Sequence, residues 1–171
     1  REEFLSKAEE YFGKDESRGH KGEFYTVPFI PGCYLKEMPT EQNHIFLSFP
    51  GAEAESEELY PLHLATFILG AGTSSLLYQR IREQLGLVYS VDVWLGVYVG
   101  GGYTSVSMSL GEANEERAIT EAIKIIGSFA EGITQRQLDI AKEKFISAII
   151  MGGENPQSRF SSNGRGQLLL S

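Results

Sequence analysis

Cysteine is almost absent from this chain: Cys33 stands alone among 171 residues. An internal disulfide is therefore impossible, and zinc sites built from CxxC pairs are excluded. Such a chain fits a reducing compartment, and a cytoplasmic location is the expectation. Histidine is nearly as scarce. His20, His44 and His63 are the only three, and none lies three or four residues from another, so neither HExxH nor its inverse HxxEH is present. No apolar run reaches the ~18 residues that a membrane-crossing helix needs, and no signal peptide is visible. Positive charge is in deficit: 15 Lys and Arg against 23 Asp and Glu leave a net charge of -8. A surface of that sign repels phosphate backbones, which speaks against nucleic acid as a partner. The chain opens on REEFLSKAEEYF without a methionine, and it reads as an internal piece of a longer protein.

What is present suffices for one domain with a real core and a short appendage. Residues 2–13 show helical spacing of Phe4, Leu5, Ala8, Tyr11 and Phe12, with Gly13 as the stop. The run GKDESRGHKGE that follows is a charged, glycine-containing linker, so residues 1–13 are expected to stay out of the main core. Ile45, Leu47 and Phe49 alternate with polar or outward positions in a strand that Pro50-Gly51 stops. Residues 57–69 predict a largely buried helix closed by Gly70. Thr73, Ser74 or Ser75 can cap the next helix, whose apolar stripe is Leu77, Ile81 and Leu85. From Leu87 to Val97 every odd position is apolar, which predicts a half-buried strand. Gly100 to Gly102 make a turn, and Thr104, Val106, Met108 and Leu110 alternate in an antiparallel partner.

A helix over roughly 114–129 turns Ala118, Ile119, Ala122, Ile123 and Ile126 inward. Thr134 and Gln137 form a capping box for another, with a stripe of Leu138, Ala141, Phe145, Ala148 and Ile149. Asn155-Pro156 resembles a cap followed by proline at the first helical position. Strands and helices come in separate groups, which predicts an α+β fold with helices on one face of an antiparallel sheet.

The scattered histidines do not make a metal site, and Cys33 has no evident partner base to make it a nucleophile. The GAG before the central helix lacks the spacing of a phosphate loop. Arg82 and Tyr89 remain, either side of Gly86 and seven residues apart. By pattern alone, Arg82 is one solvated charge among Arg80, Glu83 and Gln84, and Tyr89 is a core residue on the apolar side of its strand. The glycine turn opens a second reading, in which the last helical turn and the first strand residues come together at one edge of the sheet. A guanidinium grips carbonyl or carboxylate oxygens, and a phenol can donate to a developing oxyanion.

The run ILGAGTSSLLYQRIREQLGLVYSV resembles the signature of the non-catalytic half of the M16 metallopeptidases, the family of pitrilysin, insulin-degrading enzyme and the mitochondrial processing peptidases. The family pattern of a leucine-glycine-glycine turn, SSRLF, IRE and GLAYS is met here by LGAG, SSLLY, IRE and GLVYS. HIFLSFPG is similar to the strand before it, AEEYFG to the helix that closes the preceding half, and ENPQSRFSSNGRGQLL to a later family segment. The resemblance implies one α+β half of a two-half clamshell. Residues 1–13 would be the terminal helix of the preceding half, 14–20 a linker, and 21–171 the second half, cut short of its final helices and strand. It implies zinc in the other half, on HxxEH and a downstream glutamate, and no metal ligand or cofactor in this chain. It aligns Arg82 and Tyr89 with the arginine and tyrosine that reach bound peptide. Arg82 would hold a main-chain oxygen, and Tyr89 would hydrogen-bond the tetrahedral intermediate. Leu76 departs from the arginine that is frequent at its position.

The partners implied are the HxxEH-bearing half-domain, of the same or another chain, and a peptide substrate; neither nucleic acid nor membrane is expected, and a dimer is compatible. Without HxxEH the chain is not expected to hydrolyse peptides alone. The alternative is a partner or scaffold subunit without peptidase activity, and a further one is an unrelated α+β domain in which Tyr89 is plain core.

Overall fold

A computed structural model of the chain describes residues 1–13 and 25–169. The linker expected over 14–20, with His20, lies outside the described residues. The helix expected at the start is observed as α1 (Glu2–Phe12), ending at Gly13. It buries none of its residues, and Phe4, Tyr11 and Phe12 are each 74% exposed. The proline-broken segment that follows forms no regular element from residue 25 to residue 40. The amide of Val27 donates to the carbonyl of Gly100 at 2.8 Å, which ties this segment to the turn between the later strands.

Three strands then assemble around the last of them. β1 (Asn43–Pro50), β2 (Ser90–Tyr98) and β3 (Gly101–Leu110) form one sheet in the order β1-β3-β2, antiparallel at both pairings. The register sets Ile45 opposite Met108 and Leu47 opposite Val106 on one side. On the other side it sets Val91 opposite Met108 and Val93 opposite Val106. Because side chains alternate across a strand, these residues share one face. The opposite face carries Ser48, Ser90, Ser105, Ser107 and Ser109, cross-linked by Ser48 to Ser105 at 3.0 Å and Ser90 to Ser109 at 2.8 Å. Trp94 lies on that face too, and its indole N–H donates to Ser107 Oγ at 3.2 Å.

Helices cover the apolar face. α2 (Leu59–Gly70) and a π-helical segment (Tyr78–Gln84) fill the connection between β1 and β2. A short 3₁₀ turn (Glu112–Asn114) leads into α3 (Glu115–Gly127), followed by a single turn, α4 (Phe129–Gly132), then α5 (Gln135–Glu154) and α6 (Pro156–Leu169). The α+β architecture read from the sequence is the one observed. The core joins Val91, Val106, Met108 and Leu110 to Leu69, Leu77, Ile81, Leu87, Val88, Ala118 and Ala122. The alanines allow α3 to lie close, and both are fully buried. At the end of α2 the approach is closer still: a Cβ on Gly70 would come within 2.1 Å of Val93 Cγ2.

Two expected stripes need correction. Ile123 of α3 is 53% exposed, and Ile125 packs against the core in its place. The two alanines take the line nearest the sheet, so the larger flanking residues Ile119, Ile125 and Ile126 do the covering. On α5, Ala141 is buried and Phe145 meets α2, but Ala148 and Ile149 are exposed. The capping box at Thr134 and Gln137 is present as read, and Asn155 Oδ1 caps α6 through the amides of Gln157 and Ser158.

α2 and α5 are joined by rings. His63 stacks on Phe145 with centroids 5.1 Å apart, and Phe67 meets the same ring edge-on at 5.9 Å. Burial holds the His63 pKa below its ordinary value, since the charged imidazolium is the form that loses hydration. The native state thus binds fewer protons at this site than the unfolded chain, so stability rises with pH across the interval. We expect stability to fall as pH drops through the unfolded imidazole pKa of about 6.5 and to go on falling until the lower folded pKa is passed. Urea midpoints at several pH values check this, with His63→Gln as the control. The variant should lose part of the slope between neutral and mildly acid pH; an unchanged slope would exclude His63 as its source.

Candidate functional site

The joint between the π-helical segment and β2 is built by one left-handed residue. Gly86 has φ +60°, a conformation that side-chain-bearing residues resist. Three successive backbone amides around it are bonded. The amide of Leu85 donates to the Arg80 carbonyl at 3.2 Å, that of Gly86 to Arg82 at 3.1 Å, and that of Leu87 to Ile81 at 3.0 Å. The first of these is the i−5 bond of a π-helix, an element rare over seven residues and frequent at functional sites. Neither Thr73, Ser74 nor Ser75 caps this segment with its side chain, contrary to the sequence reading. Ser74 Oγ accepts from Lys144 at 2.8 Å instead, the Thr73 carbonyl accepts from Gln79 Nε2 at 2.6 Å, and Ser75 Oγ is buried without a hydrogen-bond partner.

Tyr89 is not a core residue. It is 60% exposed, although strict alternation would turn it inward. The reason lies just before it. Leu87 and Val88 are consecutive and both buried, so the two-residue period begins only at Ser90. The Tyr89 backbone is nonetheless fixed, because its amide donates to the Ser109 carbonyl at 2.7 Å. An exposed phenol therefore stands on an anchored backbone at the end of the central strand's pairing.

Arg82 is exposed as well, but its partner is not Tyr89. Its Nη1 donates to the Tyr78 hydroxyl, and its Cζ lies 4.8 Å from the centre of the Tyr78 ring. Sequence reasoning passed over Tyr78; the signal was the four-residue spacing in YQRIR, which puts the two side chains on one face. The neighbouring Arg80 is used differently. It bonds Gln84 at 3.0 Å and pairs with Glu121 of α3 at 3.6 Å. The Glu121 carboxyl is held below its ordinary pKa, first by a hydrogen bond from Lys124 and then by the charges of Lys124 and Arg80. Of the two arginines, one ties down the segment and the other meets no carboxylate among the described residues.

The remaining chemistry-bearing residues stay apart. His44 lies on β1, His63 is stacked between helices, and Cys33 is exposed. Among the described residues no three His, Cys, Asp or Glu side chains gather into a set that could hold a metal ion. Zinc does not fit these residues. Among the described residues no helix is long and apolar enough to cross a membrane.

A family model described as the peptidase M16 inactive domain matches residues 1–145. The uncharacterized zinc protease YmxG of Bacillus subtilis (strain 168) is 32% identical over 98% of this chain, which spans 41% of that protein. An uncharacterized zinc protease of Rickettsia bellii is 30% identical over 90% of the chain, which spans 37% of it. Among solved structures, a protease from Helicobacter pylori superposes with a TM-score of 0.74 at 13% identity, over 98% of this chain and 42% of its own. At that identity the likeness is one of fold.

The geometry makes the glycine separable from its neighbours. A Cβ built on Gly86 meets nothing within 4 Å, so Gly86→Ala should lose only what the left-handed backbone costs, about 1–2 kcal/mol. Urea denaturation measures it. A loss well beyond that range would reveal a contact that the open surroundings of Gly86 do not provide.

Proposed function

From the premise that the chain belongs to the M16 peptidase inactive-domain family, we propose that it is the substrate-gripping half of a zinc-dependent peptidase. The observation that carries this reading is the joint itself. Arg82 and Tyr89 flank a left-handed Gly86, both side chains exposed and both backbones anchored. The site would act on a peptide held against it by the half-domain that bears HxxEH, in the same chain or a partner chain. Arg82 presents several donors in one plane, which suits a main-chain carbonyl oxygen. Tyr89 donates its phenolic proton in a hydrogen bond to the oxygen on which negative charge develops, so its contribution appears in the transition state more than in the ground state.

Residues 1–13 are assigned to the end of the preceding half-domain, because α1 buries none of its apolar side chains here. Residues 21–171 are assigned to the second half. The family match already begins at residue 1, so this division is one of packing. The zinc belongs to the relatives' names, and in this protein it is assigned to the HxxEH half.

In a full-length protein that carries both halves, Tyr89→Phe should lower kcat by about 10²–10³ and change KM little, the usual scale for one preorganised transition-state donor. Arg82→Ala should lower kcat and raise KM, since its carbonyl contact exists in both states. Zinc content and thermal midpoint should match the parent in each. Steady-state kinetics on a peptide, with metal analysis, checks all three. Wild-type rates in both variants would leave the joint as plain structure and overturn the substrate-gripping reading, whereas a full-length parent that hydrolyses no peptide would favour the scaffold-subunit reading.

A further inference from the structure

Arg82 differs from its neighbour Arg80 in what holds it. Arg80 meets the carboxylate of Glu121, whereas the group on Arg82 is the neutral phenol of Tyr78. Tyr78 is itself a fixed platform, since its ring packs against the buried core at the start of the π-helical segment. The guanidinium lies over that ring and bonds its hydroxyl at the same time. Face contact and edge contact together define both the position and the tilt of a planar cation. A carboxylate would achieve the same fixation but would also neutralise the charge. A phenol does not, and it occupies one of five N–H donors.

We propose that Tyr78 is a positioning residue that holds the Arg82 guanidinium in place, still charged and still rich in donors, for a carbonyl or carboxylate oxygen of bound peptide. This rests on the reading of Arg82 given above. A long side chain free in solution loses its rotamer freedom when it binds; one already seated has lost it during folding, so less affinity is given up on peptide binding.

Two measurements separate this inference from the one it rests on. The first is ¹⁵N NMR of the Arg82 guanidinium in this chain. Rotation about its Nε–Cζ bond should be slowed in the wild type and fast in Tyr78→Phe, while Arg80 is unaffected. Equally fast rotation in both proteins would overturn the seat, whatever Arg82 does in catalysis. The second is a double-mutant cycle on peptide hydrolysis by the full-length protein. Tyr78→Phe should raise KM about two- to tenfold, with kcat changed less and the thermal midpoint unmoved. In an Arg82→Ala background the same change should have no effect. An equal effect in both backgrounds would make Tyr78 a structural residue and overturn the positioning role. A silent Arg82→Ala would instead strike at the substrate-gripping reading, leaving the NMR result to stand or fall by itself.

Discussion

β3 is hydrogen-bonded along both of its edges, and the core is assembled on the face this pairing holds flat. Met108 has Ile45 on one side and Val91 on the other, and Val106 has Leu47 and Val93. Three parallel rows of apolar side chains result, and α2, the π-helical segment and α3 rest on them. A slip of one residue at either pairing would turn a whole row to the serine face. The helices are therefore positioned by a register, and the joint at Gly86 inherits that precision. Leu87 and Val88 enter the core immediately before the strand begins, so the chain has no slack between the buried Ile81 and the paired Ser90.

The consequence for the site is that rigidity and exposure coincide. Arg82 and Tyr89 are on the surface, where they can be reached, yet each is one residue from a buried one. That arrangement suits a binding element built on scaffold rather than on a long loop. The wider π-helical turn allows it: the buried Leu77 and Ile81 stay on the core side while Arg80 and Arg82 are directed to different partners.

Much of the fold was legible because the chain obeys simple periods. β1, β3, the Thr134 capping box and the Asn155-Pro156 cap stand where alternation and capping chemistry place them. Gly86 was legible as a stop, and Arg82 and Tyr89 as a pair worth noting. What failed did so for identifiable reasons. Tyr89 looked like core because alternation was extended backward over Leu87 and Val88, which are not yet in the strand. The π-helical geometry has no distinctive composition, so a helical stripe was as far as the pattern could go. Ala148 and Ile149 look like a continuing stripe, but a stripe says only that a face is apolar, and among the described residues no core residue covers it there. Tyr78 escaped notice because a tyrosine among apolar neighbours reads as packing until its hydroxyl is seen to have a partner.

The chain has one tryptophan, and the sheet places it on the serine face, 62% exposed and away from the helices. Trp94 is thus an intrinsic optical label for that face alone. Its emission reports the wetness of the serine side of the sheet without interference from a second indole, and rearrangement among the helices would leave it largely untouched. Whatever comes to lie across Trp94 would shift the emission to the blue, so the protein carries its own probe for occupancy of that part of the sheet.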